Sequence, residues 1–417
     1  MNDGLQRKNK KNILAKVNFP LYTVQMVTSR HVIVGGGGGT SKTGVENGFE
    51  IYEIYHDGSK FSAKEVTRHE TGGNVVMNCC VFSDRKHSFL VAGQENYSQL
   101  YRVNTKLIEH EQVETIGDSA SVRHRNTKPK EHVDNNKNIK KELVFDMSPL
   151  DSIQTDFKGS EPLCRVVRIN HSGKILATGG TDGDVRLWKF PTMQPLSILK
   201  GHTKEIDDID FSKFDNLIIT LAKDGLAILW DAQTGKLKSK LTWNTPEGSK
   251  YLYKRCRFGV IEDQKNKCML YMIANATNSK QKSFLQQWIP EENTLKKFSE
   301  FNETLSALAV RDDGRFVAVG TMFSGSVSIH IAFSLQKILV VVGAHSMFVT
   351  GLEFLSHENT NHSISSVAEA AVLSISVDNQ LCIHSVPYRR SIPLWIGIMV
   401  LILVLFITFM LCAYMGL

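Results

Sequence analysis

The stretch CRVVRINHSGKILATGGTDGDVRLW at residues 164–188 returns in altered form as IDDIDFSKFDNLIITLAKDGLAILW at residues 206–230. Aligned, the turn Asp182-Gly183 falls on Asp224-Gly225 and Trp188 falls on Trp230. Each copy alternates short runs of Val, Ile and Leu with polar turns, which is the pattern of antiparallel strands joined by tight hairpins. A small meander of this kind cannot bury both of its faces alone, so it needs neighbours of its own kind to form a core.

Gly201-His202 precedes the second copy and Trp230-Asp231 closes it. These are the two dipeptides that mark a WD-type propeller blade, whose period is about 40–45 residues. Degenerate copies account for the rest of the body. Leu21–Val66 makes a first, and Asn78–Phe82, Phe89–Gly93 and Ser98–Val103 make a second. Leu252–Lys297 follows the two clear copies, then Leu305–Gly320 with Ser326–His330, and finally Val349–Leu355, Val372–Val377 and Leu381–Val386. The fold class is therefore all-β, a seven-bladed WD-type propeller over residues 1–388. The last copy has three strands before Pro387, and Asn12–Phe19 is placed to supply its missing outer strand and close the ring. That closure removes two exposed sheet edges. His202, Asp207, Asp210 and Asp231 read as hydrogen-bonding positions of the blades rather than as catalytic groups.

The formal charge of +7 over 417 residues would suggest nucleic acid if it lay on the folded body. It does not. Residues 1–16 and 121–142 each carry about +4, and Arg389 and Arg390 add two more, which leaves the remainder mildly acidic. Residues 117–141 are polar and charged, and read as a disordered excursion between the second and third blades. The seven cysteines form no C-x-x-C or zinc pattern and read as reduced thiols, mostly buried in strands.

From Ile392 to the end at Leu417 there is no charged residue. About 22 helical residues span about 33 Å, enough for a hydrocarbon core of about 30 Å. Pro393 opens this anchor, and Trp395 and Tyr414 stand near its two ends, where interfacial aromatic residues belong. Arg389 and Arg390 precede the span and no basic residue follows it, so the positive-inside rule puts the propeller in the cytosol. Residues 1–16 lack the apolar core of a signal peptide. The modest length of the span suits the thinner endoplasmic reticulum membrane.

One segment departs from the blade pattern. The turn between the second and third strands of the first copy should be short, yet it reads VGGGGGTSKTGVEN, residues 34–47, before the strand Phe49–Tyr55. Five successive glycines lose much backbone entropy on ordering, which calls for unusual dihedrals or a close approach. Gly36–Thr43 comes within one residue of a phosphate-binding loop, with Ser41 where glycine should precede Lys42. Such a loop must open a helix, and here a strand follows. A dinucleotide fingerprint starting at Gly35 fails at Thr40.

The glycine run with Lys42-Thr43-Gly44 and Asn47, in the first blade of a divergent propeller with a C-terminal membrane helix, resembles the prolactin regulatory element-binding protein family. These are the animal counterparts of the fungal endoplasmic-reticulum exchange factor for the Sar-type small GTPase. The resemblance implies a guanine nucleotide exchange factor without covalent catalysis, which loads its GTPase at the endoplasmic reticulum and starts COPII coat assembly with other coat factors. It implies that Gly35, Gly36, Gly37, Gly38, Gly39, Lys42, Thr43, Gly44 and Asn47 form the exchange element. It also implies a potassium ion held at Gly36, Gly37, Gly38 and Asn47, and no other cofactor. Val45 and Glu46 receive no role. Two other readings stand beside it: a tethered scaffold without exchange activity, and a DNA-binding regulator. The membrane span, the near-neutral body and the lack of a recognition helix speak against the second.

Overall fold

A computed structural model describes residues 12–39, 44–84, 87–111, 139–157, 161–246, 248–261, 264–278, 280–357, 364, 366–388 and 394–416. Lys42, Thr43, Arg389, Arg390 and Pro393 lie outside them, as does residue range 112–138.

Twenty-eight strands form seven four-stranded antiparallel sheets. The chain begins with β1 (Ile13–Lys16) and then builds blade 1 from β2 (Leu21–Met26), β3 (His31–Gly37), β4 (Asn47–His56) and β5 (Phe61–Glu70). Blade 2 is β6 (Asn78–Ser83), β7 (Ser88–Gln94), β8 (Tyr97–Glu111) and β9 (Ile139–Gln154). Blade 3 is β10 (Cys164–Ile169), β11 (Ile175–Gly180), β12 (Val185–Lys189) and β13 (Gln194–Leu199). Blade 4 is β14 (Ile206–Phe211), β15 (Leu217–Ala222), β16 (Ala227–Asp231) and β17 (Leu237–Leu241). Blade 5 is β18 (Tyr251–Ile261), β19 (Gln264–Ala276), β20 (Ser283–Ile289) and β21 (Thr294–Phe301). Blade 6 is β22 (Leu305–Val310), β23 (Phe316–Thr321), β24 (Val327–Ile331) and β25 (Lys337–Val341). Blade 7 has β26 (Val349–Phe354), β27 (Ala370–Ser376) and β28 (Gln380–Val386), with β1 as its outer strand. The helix α1 (Leu394–Met415) follows.

The core is divided among the blade interfaces, as the repeat requires. Seven clusters of buried apolar side chains each join two neighbouring blades. Val166 and Ala177 of blade 3 pack on Ile206 and Ile209 of blade 4, for example. The tight hairpins follow from the Asp-Gly pairs: Gly183 and Gly225 adopt φ of +79° and +86°, which disfavours any residue with a Cβ. Ring closure is as expected. β1 pairs antiparallel with β28, with Ile13 opposite Cys382 and Lys16 opposite Gln380. Val17 and Phe19 then enter the core shared by blades 7 and 1.

Two expectations change. The charged excursion does not lie between blades: β8 and β9 pair from Tyr97↔Gln154 out to Glu111↔Ile139, so the excursion starts and ends inside blade 2, and residues 139–141 are strand. The reason was readable in the alternation of Leu143, Phe145 and Met147, which turn inward on blade 1. Pro149 masked it, yet an outermost strand tolerates proline. The second change concerns the glycines and is described below. The cysteines are as expected, with Cys79, Cys80, Cys164, Cys256, Cys268 and Cys382 buried and in no disulfide.

Strand direction sorts the connections by face. The turns between second and third strands share one face with the links from blade to blade; the other turns occupy the opposite face. β28, a third strand, ends on that opposite face. Within α1, residues Trp395–Met415 form a helix long and apolar enough to cross a membrane, with mean hydropathy 3.0. Trp395 and Tyr414 are exposed near its ends.

Candidate functional site

In blade 1 the glycine run splits into two parts with different physical roles. Gly35, Gly36 and Gly37 belong to β3 and pair with Phe49, Gly48 and Asn47 of β4. They are buried. A Cβ on Gly35 would lie 2.9 Å from the Phe49 ring, and one on Gly36 would lie 1.8 Å from the carbonyl oxygen of Pro20. Opposite, a Cβ on Gly48 would meet the His69 carbonyl at 2.3 Å. At Gly36 and Gly48 neighbouring backbone passes too close for any side chain, and at Gly35 the Phe49 ring and the Thr23 methyl already fill the space. Gly37 has φ +147° and donates its N–H to the Pro20 carbonyl at 3.1 Å. The expectation that all five glycines form the loop is therefore corrected: three are strand. The continuing β pattern of Val32–Val34 and the facing Gly48 were the signals for it.

The loop proper runs from Gly38 to Glu46. Gly39 (φ +85°) and Gly44 (φ +76°) have open space around them, so their freedom is conformational. Asn47 closes the loop from within. Only 5 % of it is exposed. Its Oδ1 accepts the Gly39 N–H at 3.0 Å, and its Nδ2 donates to the Gly39 carbonyl at 3.2 Å and to the Gly72 carbonyl at 2.9 Å. The side-chain amide thus adds one rung to the ladder beyond the last backbone pair, Gly37↔Asn47. Its own carbonyl accepts the Thr71 N–H at 3.0 Å.

The two residues without an assigned role acquire one. Val45 packs against the core between blades 7 and 1, and Glu46 is ion-paired with Arg68 of β5. Arg68 also approaches Glu50 at 3.8 Å, and burial raises the Glu50 carboxyl above its ordinary range. The loop is pinned at its C-terminal root by a plug, an ion pair and an amide clamp. Its tip, with Lys42 and Thr43, lies outside the described residues.

The root also bears on the implied potassium ion. The donors present are neutral oxygens, the carbonyls of Gly36–Gly38 and Oδ1 of Asn47, without a carboxylate among them. A neutral oxygen set suits a weakly hydrated monovalent cation better than a divalent one. Oδ1 already accepts one N–H and, as an amide oxygen, keeps a second lone pair. The type of donor therefore suits such an ion.

The histidine and aspartates singled out in the sequence are structural, but not all within one blade. His202 bridges Asp224 (Nδ1, 3.1 Å) and Thr220 (Nε2, 2.8 Å), and Trp230 donates to the same hydroxyl at 2.8 Å. Asp231 accepts N–H bonds from Thr234 and Gln233, which hold its carboxyl below the usual range. Asp207 and Asp210 instead tie blade 4 to blade 5: Asp207 meets Lys254 at 2.7 Å, and Asp210 accepts the Phe258 N–H at 2.7 Å. Beside them Asp208 lies 2.6 Å from Arg257 and 3.6 Å from Arg168. Burial pushes its carboxyl up, and the guanidiniums bring it below its ordinary range.

This arrangement defines a seven-bladed WD-type propeller with one enlarged, clamped loop on one face and an apolar helix beyond its last blade. Residues 151–189 and 193–231, the end of β9, blade 3 and the first three strands of blade 4, match the family described as WD domain, G-beta repeat. Over 411 residues the chain is 32% identical to guanine nucleotide-exchange factor SEC12 of Mus musculus, covering 95% of this chain and 96% of the mouse protein. Against the Rattus norvegicus protein of the same name the identity is 30% over the same length. SEC12-like protein 2 of Arabidopsis thaliana is 28% identical over 191 residues, 44% of each chain. The chain belongs to the SEC12 guanine nucleotide-exchange factor family, in agreement with the resemblance carried by its glycine run and anchor.

Proposed function

We propose that the chain is a guanine nucleotide-exchange factor for a Sar-type small GTPase. On this reading it sits in the endoplasmic reticulum membrane through α1 with the propeller on the cytosolic side, and starts COPII coat assembly by loading the GTPase with GTP. Membership of the SEC12 family over nearly the whole chain is the observation that carries the exchange activity. The clamped glycine loop supports the placement of that activity in blade 1, and Arg389 and Arg390 before the span support the orientation.

Exchange needs no acid, base or nucleophile. It requires a partner that binds the nucleotide-free GTPase more tightly than the loaded one. A loop held rigid at its root can be presented to the cleft around the GTPase's phosphate-binding loop in one fixed direction. Asn47 sets the exit direction of the loop, Gly39 and Gly44 supply its turns, and Lys42 is the cation it carries toward the nucleotide site. A potassium ion bound at Gly36–Gly38 and Asn47 would stiffen the same root.

The test is release of labelled GDP from a purified Sar-type GTPase, with the full chain reconstituted in liposomes. Acceleration that falls in Lys42→Ala and Asn47→Ala, and weakens when potassium is replaced by a larger cation, is the expected result. No acceleration by folded protein would leave a tethered scaffold. Unchanged rates in both variants would remove the loop from the mechanism.

A further inference from the structure

The loop of blade 1 lacks something an interface needs. From Gly38 to Glu46 its only apolar side chain beyond glycine is Val45, and that is turned into the core. A specific complex buries about 800 Å² on each partner, and its affinity is concentrated in a few well-packed, often aromatic, side chains. Affinity must therefore come from elsewhere on the same face.

The turn joining β23 to β24 lies on that face, as does the link from β25 to β26. Phe323, at the tip of the turn, is 72 % exposed, and Met322, Val342 and Met347 are exposed beside it. The turn is not loose. Ser324 bonds Glu303 twice, through its hydroxyl at 2.7 Å and its N–H at 3.1 Å. Thr321 Oγ1 accepts the Ser326 N–H at 2.8 Å, and the Ser326 hydroxyl accepts the Gly343 N–H at 3.2 Å. Gly325 (φ +59°) accepts the His345 N–H at 3.0 Å, and a Cβ there would strike the His345 carbonyl at 2.3 Å. This network locks the turn against the next connection while leaving Phe323 in solvent. The exposed rings Phe157 and Phe333 each carry a cation, Arg186 at 4.9 Å and Lys297 at 4.5 Å. Among the described residues neither a cation nor a ring lies over Phe323. A rigidly presented, uncovered aromatic side chain is pre-organised for a partner, because little entropy is lost when it docks.

Blade 7 is all that separates this patch from blade 1. The two share a core cluster, and the Thr350 hydroxyl donates to the Leu21 carbonyl at 2.7 Å across their boundary. A globular partner engaged at the loop therefore has only blade 7 to cross to reach blade 6.

We propose that Phe323, with Met322, Val342 and Met347, is the docking knob by which this chain holds its small GTPase while the glycine loop acts on the nucleotide site. The proposal rests on the exchange-factor reading. It divides the labour: the knob sets how tightly the GTPase is held and the loop sets how fast nucleotide leaves.

The experiment varies GTPase concentration in the labelled-GDP release assay, with full-length chain in liposomes. The double variant Phe323→Ser, Met347→Ser is expected to raise the half-saturating concentration about tenfold or more with the same maximal rate. Phe323→Leu, which keeps an apolar knob, should retain most of the affinity, and unchanged unfolding midpoints confirm that the ring is intact. Wild-type acceleration with an unshifted half-saturation in the double variant overturns the knob and leaves the exchange reading standing. If the wild type gives no acceleration, co-flotation of nucleotide-free GTPase with the liposomes decides. Binding lost in the double variant supports the knob and sinks the exchange reading, equal binding overturns the knob, and no binding by the wild type overturns both.

Discussion

Blades 1 and 4 use the same topological position, the turn between second and third strands, for opposite purposes. In blade 4 the turn Lys223–Leu226 is minimal: Asp224 accepts the Leu226 N–H at 2.9 Å and the Thr203 N–H at 3.0 Å, and receives His202. The carboxylate of the turn is spent on bonds within its own blade. In blade 1 that network is replaced by a nine-residue loop whose root is tied by Asn47, Val45 and Glu46. Blade 1 keeps its rigidity by another route, the close backbone approach at Gly36 and Gly48, with the Phe49 ring packed on Gly35. The comparison teaches that a propeller can free one turn for function if the strands below it are packed without side chains.

The sharpest way to break this contrast is Gly36→Ala. The new Cβ would sit 1.8 Å from the Pro20 carbonyl, so β3 and the segment that follows the closing strand must separate. A destabilisation of about 2–4 kcal/mol is expected from such overpacking, read as a lowered urea midpoint. The same change at Gly39 meets open space and carries only the strain of its positive φ, about 1 kcal/mol. Equal effects at the two positions would refute the division of the glycine run into strand and loop.

His202→Ala comes next. It removes a side chain that bridges Asp224 and Thr220 and leaves both partners buried, for a loss of about 1–3 kcal/mol. GDP release should be unchanged once the protein is folded. Asn47→Ala reverses the pattern. Three hydrogen bonds vanish at a buried side chain, which lowers stability by about 1–3 kcal/mol, while exchange should fall about tenfold. The ratio of rate loss to stability loss in the two variants measures how far the blades have diverged.

These residues also show what was legible in the sequence. Blades 3 and 4 carry intact Asp-Gly turns and tryptophans, so their strands could be placed from pattern alone, and counting strands gave the closing role of β1. The charged excursion was misplaced because Pro149 and the lysines around 140 obscured a period-two pattern that only a neighbouring blade makes sense of. The glycine run pointed to the site by its oddity. Its division into strand and loop depends on Pro20 and His69, distant in sequence and brought close by ring closure and strand pairing. Asn47 was selected as a ligand-type residue and proves first of all to be a clamp. Phe323 gave no signal, since burial of a phenylalanine is the default expectation and its exposure is a property of the folded turn.

The smallest expected effect concerns acid, and it sharpens the comparison through blade 7. There His345 bridges Asp378 (3.1 Å) and Ser374 (2.7 Å) as His202 does in blade 4, but His384 stands where Trp230 would, 2.8 Å from the Ser374 hydroxyl. Burial lowers the His384 imidazole to about 3, with the nearby His345 adding to the shift. Folded protein therefore keeps it neutral where the unfolded chain, near 6.5, takes up a proton. Stability from this residue is complete above pH 6.5 and declines as pH falls from there toward about 3. Between pH 7 and pH 6 the loss is about 0.7 kcal/mol. His384→Phe removes the titrating group, so its urea midpoint should be lower at neutral pH, because the Ser374 hydroxyl keeps only one of its two imidazole partners, but flatter between pH 7 and pH 6. An equally steep decline in the variant would place the acid sensitivity elsewhere, with His330, lowered to about 4 by burial in blade 6, as the next group to replace.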